Sequence, residues 1–178
     1  MNCMDGYDFG ESELAALNNN LWTANLMISK HYPDAKPDLY ILGGAAMAMH
    51  GLNYKFTLDI DCANRIRSDV REVLSEFAID DAASEVAHLP SCYEGRLVRF
   101  REDLEYLNCY LLSVEDLFIT KLLTKRMKDI QSIMTSGILK KIDREAVCKI
   151  VDSELEGKEK EDAIAWCRKL GISEEGCT

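Results

Sequence analysis

Apolar positions recur along the chain at helical and strand spacings. In 12–31, SELAALNNNLWTANLMISKH, Leu14, Leu17, Leu21 and Trp22 repeat every three or four residues, which predicts an amphipathic helix with Ser12 as its cap. YPDAKPD breaks the pattern with two prolines, and LYIL reads as a buried strand. GAAMAMHG predicts a short helix ended by Gly51. KFTLDIDC alternates and carries β-branched residues, so it reads as a second strand that pairs with LYIL.

SDVREVLSEF predicts a helix capped by Ser68, with Val70, Val73, Leu74 and Phe77 inward, and DDAASEVAHL predicts another, weaker one. GRLVRFR and LEYLNCYLL alternate as a strand pair. The clearest periodicity follows, in SVEDLFITKLLTKRMKDIQSIMTSG. Ser113 and Asp116 open it like a capping box, Leu117, Ile119, Leu122, Leu123, Met127, Ile130 and Ile133 form its stripe, and Gly137 ends it. Two short helices near 142–152 and 158–170 complete the chain, with Gly171 as a terminator. This order predicts an α+β (α/β) fold: a small mixed sheet flanked by helices, with a helical C-terminal part. We expect one domain over 1–137, including the N-terminal helix, and 138–178 as an appendage packed on it.

Composition narrows the setting. At 178 residues and 47% apolar content the chain can build a real core. Lys+Arg 21 against Asp+Glu 31 gives 21 − 31 = −10, which argues against a general nucleic-acid or membrane-surface coat while leaving room for a local basic pocket. The seven cysteines are odd in number and form no C-x-x-C, which fits a reducing compartment better than a disulfide framework or zinc site. The N-terminus MNCMDGYDFGESE is acidic and lacks an apolar core, so a cytoplasmic location with no membrane partner is expected.

Candidate chemistry gathers in DLYILGGAAMAMHGLNYKFTLDIDC. On a strand, Asp59 and Asp61 point to the same side. Paired carboxylates repel unless water or a cation screens them, and magnesium takes such hard oxygen ligands. Alone the pair says little, because D-x-D has a chance count of roughly 0.7 in a chain of this length. Gly43 and Gly44, between a strand and a helix, let backbone approach a phosphate closely, but they also suit a plain tight turn. The conjunction carries more. If the two strands are adjacent, phosphate donors and metal carboxylates meet at one sheet end, as a magnesium nucleoside triphosphate requires.

These segments, GGAAMAMHG with TLDID and the later SVEDLFITKLLTKRMKDIQSI, resemble the nucleotidyltransferase superfamily of DNA polymerase beta-like fold, and within it small bacterial proteins related to AbiEii-type toxins. The resemblance covers roughly 38–133. It implies that Gly43, Gly44 and Thr57 belong to the nucleotide site, that Asp59 and Asp61 hold Mg2+ and help activate the attacking group, and that Lys121 faces the phosphates. Lys125, Arg126 and Lys128 would extend that field, although a solvated helix face suits Lys125 and Lys128 better. Asp129 is expected to close an ion pair one turn away, and His50 to cap the short helix. The family's third carboxylate sits on a later strand, and the position aligned with it is Asn108, which coordinates through a carbonyl but carries no charge. Glu105 reaches that place only by a register slip that turns every side chain over. The implied function is magnesium-dependent transfer of a nucleoside monophosphate from an NTP to a protein, tRNA or small-molecule acceptor, with an antitoxin as a partner. The alternative is a catalytically weakened nucleotide-binding or protein-interaction module that keeps the fold.

Overall fold

The computed structural model describes residues 9–52 and 57–172. The first helix, α1 (Phe9–His31), buries Leu17, Leu21, Ala24 and Ile28. The proline-containing break leads to β1 (Asp38–Ile41), whose Leu39 and Ile41 are fully buried. The short helix α2 (Gly43–Met49) follows, and Gly51 at φ +69° turns the chain after it. Lys55 and Phe56 of the predicted KFTLDIDC strand lie outside the described residues. Of the remainder, ladder pairing is confined to β2 (Ile60–Asp61), and Cys62 bridges Ile41 antiparallel, so the expected pairing with LYIL is present.

A strand–helix–strand unit comes next. α3 (Ser68–Ser75) starts one residue earlier than expected, with Arg67 and not Ser68 at its N-cap. β3 (Ile79–Asp80) then returns parallel to β2, pairing Ile60 with Ile79 and Asp61 with Asp80. The helix expected over DDAASEVAHL is therefore a short strand followed by a 3-10 turn at Ala82–Glu85. Side chains redirect the backbone here. Asp80 Oδ1 accepts from the Ala82 amide at 2.9 Å, while Asp81 Oδ2 accepts from the Ile66 amide and Arg71, each at 2.8 Å.

A second 3-10 turn at Tyr93–Arg96 precedes β4 (Val98–Phe100) and β5 (Asn108–Leu111), which pair antiparallel as expected. β5 also pairs parallel with β1, so the three-stranded sheet runs β1-β5-β4, with β5 in the middle. Cys109 and Leu111 are buried while Asn108 and Tyr110 take the other face. Tyr40 and Tyr110 meet there edge to face at 5.8 Å.

The long predicted helix is two helices. α4 (Val114–Thr124) is capped by Ser113, whose hydroxyl accepts from the Asp116 amide as the sequence predicts. It stops at Lys125 in the left-handed conformation, and α5 (Met127–Thr135) leaves in a new direction. Gly137, at φ +83°, starts the single turn α6 (Ile138–Lys141). α7 (Arg144–Glu154), capped by Asp143, and α8 (Gly157–Lys169) pack against α4. One apolar cluster extends from Leu17 on α1 to Ile172 beyond α8, with the sheet and α4 at its centre. Among the described residues no helix is long and apolar enough to cross a membrane.

One polar network pins α7 to α4. Asp116 is fully buried, and Arg96 donates to it from Nη2 at 2.7 Å while bonding Glu154 from the same guanidinium at 2.9 Å. Those hydrogen bonds, first to Asp116 and then to Glu154, raise the Arg96 pKa further above its ordinary value. Removing one partner of a buried pair strands the other charge. Arg96→Ala should therefore lower unfolding free energy by about 3 kcal/mol in urea denaturation, more than an exposed pair such as Arg65–Glu85 is worth.

Candidate functional site

The site begins where β1 ends. The Leu42 amide donates to the Asp61 carbonyl at 3.0 Å, and the Ala63 amide to the Tyr40 carbonyl at 2.7 Å. These bonds hold the turn at Gly43 against the acidic strand. Gly43 sits at φ +68°, and a Cβ there would lie 3.2 Å from Asp61 Oδ2. Backbone conformation and close approach both require glycine.

Two other carboxylates act on Asp61 at this strand end. Asp61 lies in register with Asp80 on the neighbouring parallel strand, and the Asp59 charge reaches it from two residues upstream. Burial, then Asp80, then Asp59 raise the Asp61 pKa above the usual carboxylate value. A crowded, half-buried acid of this kind stays ionised at neutral pH only at a cost, which a cation removes. Among the described residues no three His, Cys, Asp or Glu side chains converge tightly enough to cage a metal by themselves.

A cleft of about 490 Å³ opens beside Asp61 and Gly43. One wall is the 82–88 segment, with Ala83, Val86 and Ala87; the other is one face of α4, with Leu117, Thr120, Lys121 and Thr124 at helical spacing. Arg126 and Asp129, brought round by the bend at Lys125, complete the lining. Asp129 is buried and accepts from Lys121 Nζ at 3.1 Å, Thr124 Oγ1 at 2.8 Å and Arg126 Nε at 2.7 Å. Burial pushes the Asp129 carboxyl up, but the Thr124 hydrogen bond, the Lys121 charge and the Arg126 bond outweigh it and hold it below the ordinary range. The cleft thus brings the Asp61 carboxylate and the Lys121–Asp129–Arg126 group into one lining.

Of the residues singled out in the sequence, Gly43, Asp61 and Lys121 line this cleft together, and Arg126 joins them. Asp59 is exposed beside Asp61, and the Thr57 hydroxyl donates to the Asp59 carbonyl at 3.3 Å, steadying the approach to β2. Gly44 continues the turn into α2. Lys125 is ion-paired with Asp162 of α8, and Lys128 is exposed. His50 stands at the end of α2 as expected, its Nε2 bonded to the Leu112 carbonyl at 2.8 Å, and burial lowers its pKa.

Asn108 is not brought to the site. It faces Asp38 at the opposite end of β1 from Gly43, bonds Asp38 Oδ1 at 2.9 Å, and accepts from Arg99 at 3.2 Å. The reason is topological. β5 lies on the side of β1 away from β2, whereas β3 lies directly on β2. The third carboxylate beside Asp61 is Asp80, which the sequence reading assigned to a helix. Its signal was the strand–helix–strand order itself, since a short apolar step ending in an acid after α3 is where a returning parallel strand belongs. Asp129 was read as an ion-pair partner only, and Thr120 was not singled out.

The chain belongs to a family described as nucleotidyltransferase of unknown function (DUF6036), whose model matches residues 19–167. That span takes in the acidic strand, both walls of the cleft and nearly all of α8. No curated protein and no solved structure matches the chain.

The crowding at Asp61 predicts a pH dependence. Its raised pKa means that the folded chain holds this proton more tightly than the unfolded chain does, so ionisation opposes folding. That opposition is complete above the folded value and fades as pH falls through the folded and then the unfolded value, near 3.9 for a model Asp. Asp61→Asn should therefore be more stable than the parent in denaturant titrations at pH 7, and the gain should shrink by about pH 3.5. Gly43→Ala should do the opposite, losing about 1–2 kcal/mol to left-handed strain and to the contact with Oδ2.

Proposed function

We propose that the protein transfers a nucleoside monophosphate from a magnesium nucleoside triphosphate to a hydroxyl acceptor. The observation that carries this reading is the Gly43 turn lying directly against Asp61, with Asp59 and Asp80 acting on the same carboxylate and Lys121 across the cleft. Family membership supports the general class of reaction.

The donor set fits magnesium. This ion uses one or two carboxylates and completes its octahedron with waters and substrate phosphates, so it needs no closed protein cage. Asp59 and Asp61 are the residues to hold it, and when bound it neutralises charge developing on the phosphates. Gly43 and Gly44 leave room for the triphosphate beside Asp61. Lys121 and Arg126 supply positive charge in the same lining, and Asp129 fixes their direction. The acceptor oxygen forms a bond to the α-phosphorus, the α–β phosphoanhydride bond breaks, and pyrophosphate leaves. The acceptor's proton passes to Asp80, whose Oδ1 takes the Ala82 amide.

The acceptor is best sought among proteins and small molecules. With a net charge of −10, a long polyanion such as tRNA meets repulsion wherever the surface lacks a basic track. The exposed bases near the cleft are themselves partly neutralised, Lys125 by Asp162 and Arg126 by Asp129.

Incubation with each α-labelled triphosphate and Mg2+ tests the proposal, with transfer to protein or pyrophosphate release as the readout. Chelation should abolish the signal. Asp61→Asn should cut it on the order of 100- to 1000-fold, and Asp80→Asn should cut it clearly. Asn108→Asp should leave the rate unchanged, because residue 108 lies at the far end of β1. Rescue of an inactive parent by Asn108→Asp would reject this assignment of the third carboxylate.

A further inference from the structure

The outer strand of the three-stranded sheet carries a feature that the cleft does not use. β4 pairs with β5 along one edge, and among the described residues no strand or bridge covers the other. An open edge offers backbone N–H and C=O groups to any extended chain beside it, and a charged side chain often blunts it. Arg99, in the middle of β4, is not loose in solvent as a blunting charge is. Its guanidinium carbon lies 4.9 Å from the centroid of the Tyr110 ring, and Nη2 donates to Asn108 Oδ1 at 3.2 Å.

Register extends this contact across the sheet. Arg99 pairs with Tyr110 on β5, and Tyr110 pairs with Tyr40 on β1, so the three form one row. All are half-buried, on the face turned away from Cys109 and Leu111. The flanking arginines are engaged, Arg96 with Asp116 and Glu154 and Arg101 with Asp103. Among the described residues no ion pair forms at Arg99, which keeps only the amide and the ring.

Tyrosine and arginine are the side chains that most often anchor protein interfaces. A guanidinium already held over a ring, with no carboxylate of its own, is ready to take one from outside. On a chain of net charge −10 that cation also discriminates, drawing an acidic segment to this edge while the overall charge repels it elsewhere. We propose that β4 is a docking edge on which an extended acidic segment of a partner protein adds as a fourth strand and sets a carboxylate on Arg99. β5 and β1 stand between this edge and β2, so the inference is independent of the nucleotide reading.

Fluorescence anisotropy with three labelled peptides tests this: one alternating Val and Glu, one alternating Val and Lys, and the Val–Glu peptide N-methylated at alternate residues, which removes the ladder donors of one edge. The full chain should bind the Val–Glu peptide about tenfold more tightly than either of the others, and binding should slow hydrogen exchange of the amides from Val98 to Phe100. Arg99→Ala should lose about tenfold for that peptide, and Arg99→Lys, which keeps the charge without the fork, should lose less. The peptide comparisons use the parent alone, so they decide the matter even where Arg99→Ala loses stability. Equal binding of the Val–Lys or N-methylated peptide, undiminished binding by a folded Arg99→Ala, or no binding of the Val–Glu peptide below about 1 mM overturns the proposal. Tighter binding of an oligouridylate also overturns it, by making the tyrosine row a base-stacking platform, as does a parent dimer that Arg99→Ala dissociates, which gives the edge to a second copy.

Discussion

The antiparallel contact between the end of β1 and β2 is the constraint on which the rest of the cleft depends. The Leu42–Asp61 and Ala63–Tyr40 bonds and the Ile41–Cys62 bridge fix the turn at Gly43 onto the acidic strand. A side chain at 43 would press on Asp61. Once that contact is made, β2 is held on one side by β1, and its other edge is free to take β3. The return of the chain through α3 then brings Asp80 into register with Asp61. The carboxylate cluster is thus a consequence of strand order and not of a contiguous motif.

The Lys121–Asp129–Arg126 group depends on a broken helix. Continued straight, α4 would have carried Asp129 along its own axis, two turns beyond Lys121. Lys125 instead takes the left-handed conformation, and the Asp129 carboxylate folds back to collect Lys121, Thr124 and Arg126. The unfavourable backbone at Lys125 is offset by these bonds and by its own ion pair with α8. Without the bend, Lys121 would be a buried ammonium lacking this carboxylate, which is costlier than the strain.

Much of this was legible in the sequence, for identifiable reasons. Period-2 and period-3.6 patterns located α1, β1, α2, α3, the β4–β5 pair and the Ser113 cap, because each buries one face in a common core. The closeness of Gly43 and Asp61 was legible because a glycine turn after one strand and an acid on its partner had to coincide. Asp80 was not, since Ile79–Asp80 is too short to carry a period and lies in a segment whose alanines favour helix. Choosing Asn108 followed from aligning LEYLNCYLL with the later strand on which the family it resembles carries its third carboxylate. Side-chain parity on β5 was read correctly, but parity does not say which strand lies beside which. The break at Lys125 was hidden because the apolar stripe continues through it, and only the long-range demands of Asp129 and Asp162 interrupt the helix.

Local rules are broken unevenly across the molecule. Among the described non-glycine residues, Lys36, Ala78, Arg101 and Lys125 have positive φ; the first three lie in connections, while Lys125 interrupts a regular helical stripe. Around one cleft are gathered that bend, a left-handed turn pressed against a carboxylate, and a carboxyl whose pKa is pushed up by burial and then by like charges. Away from the cleft, caps are filled at Ser113 and Asp143, and the most buried ion pair outside it, Arg96–Asp116, is completed by Ser113 and Glu154. Strain and crowding of this kind persist only where the surrounding structure over-determines them, as at ligand sites. Their coincidence in one cavity is physical support for a binding role that does not depend on any single motif.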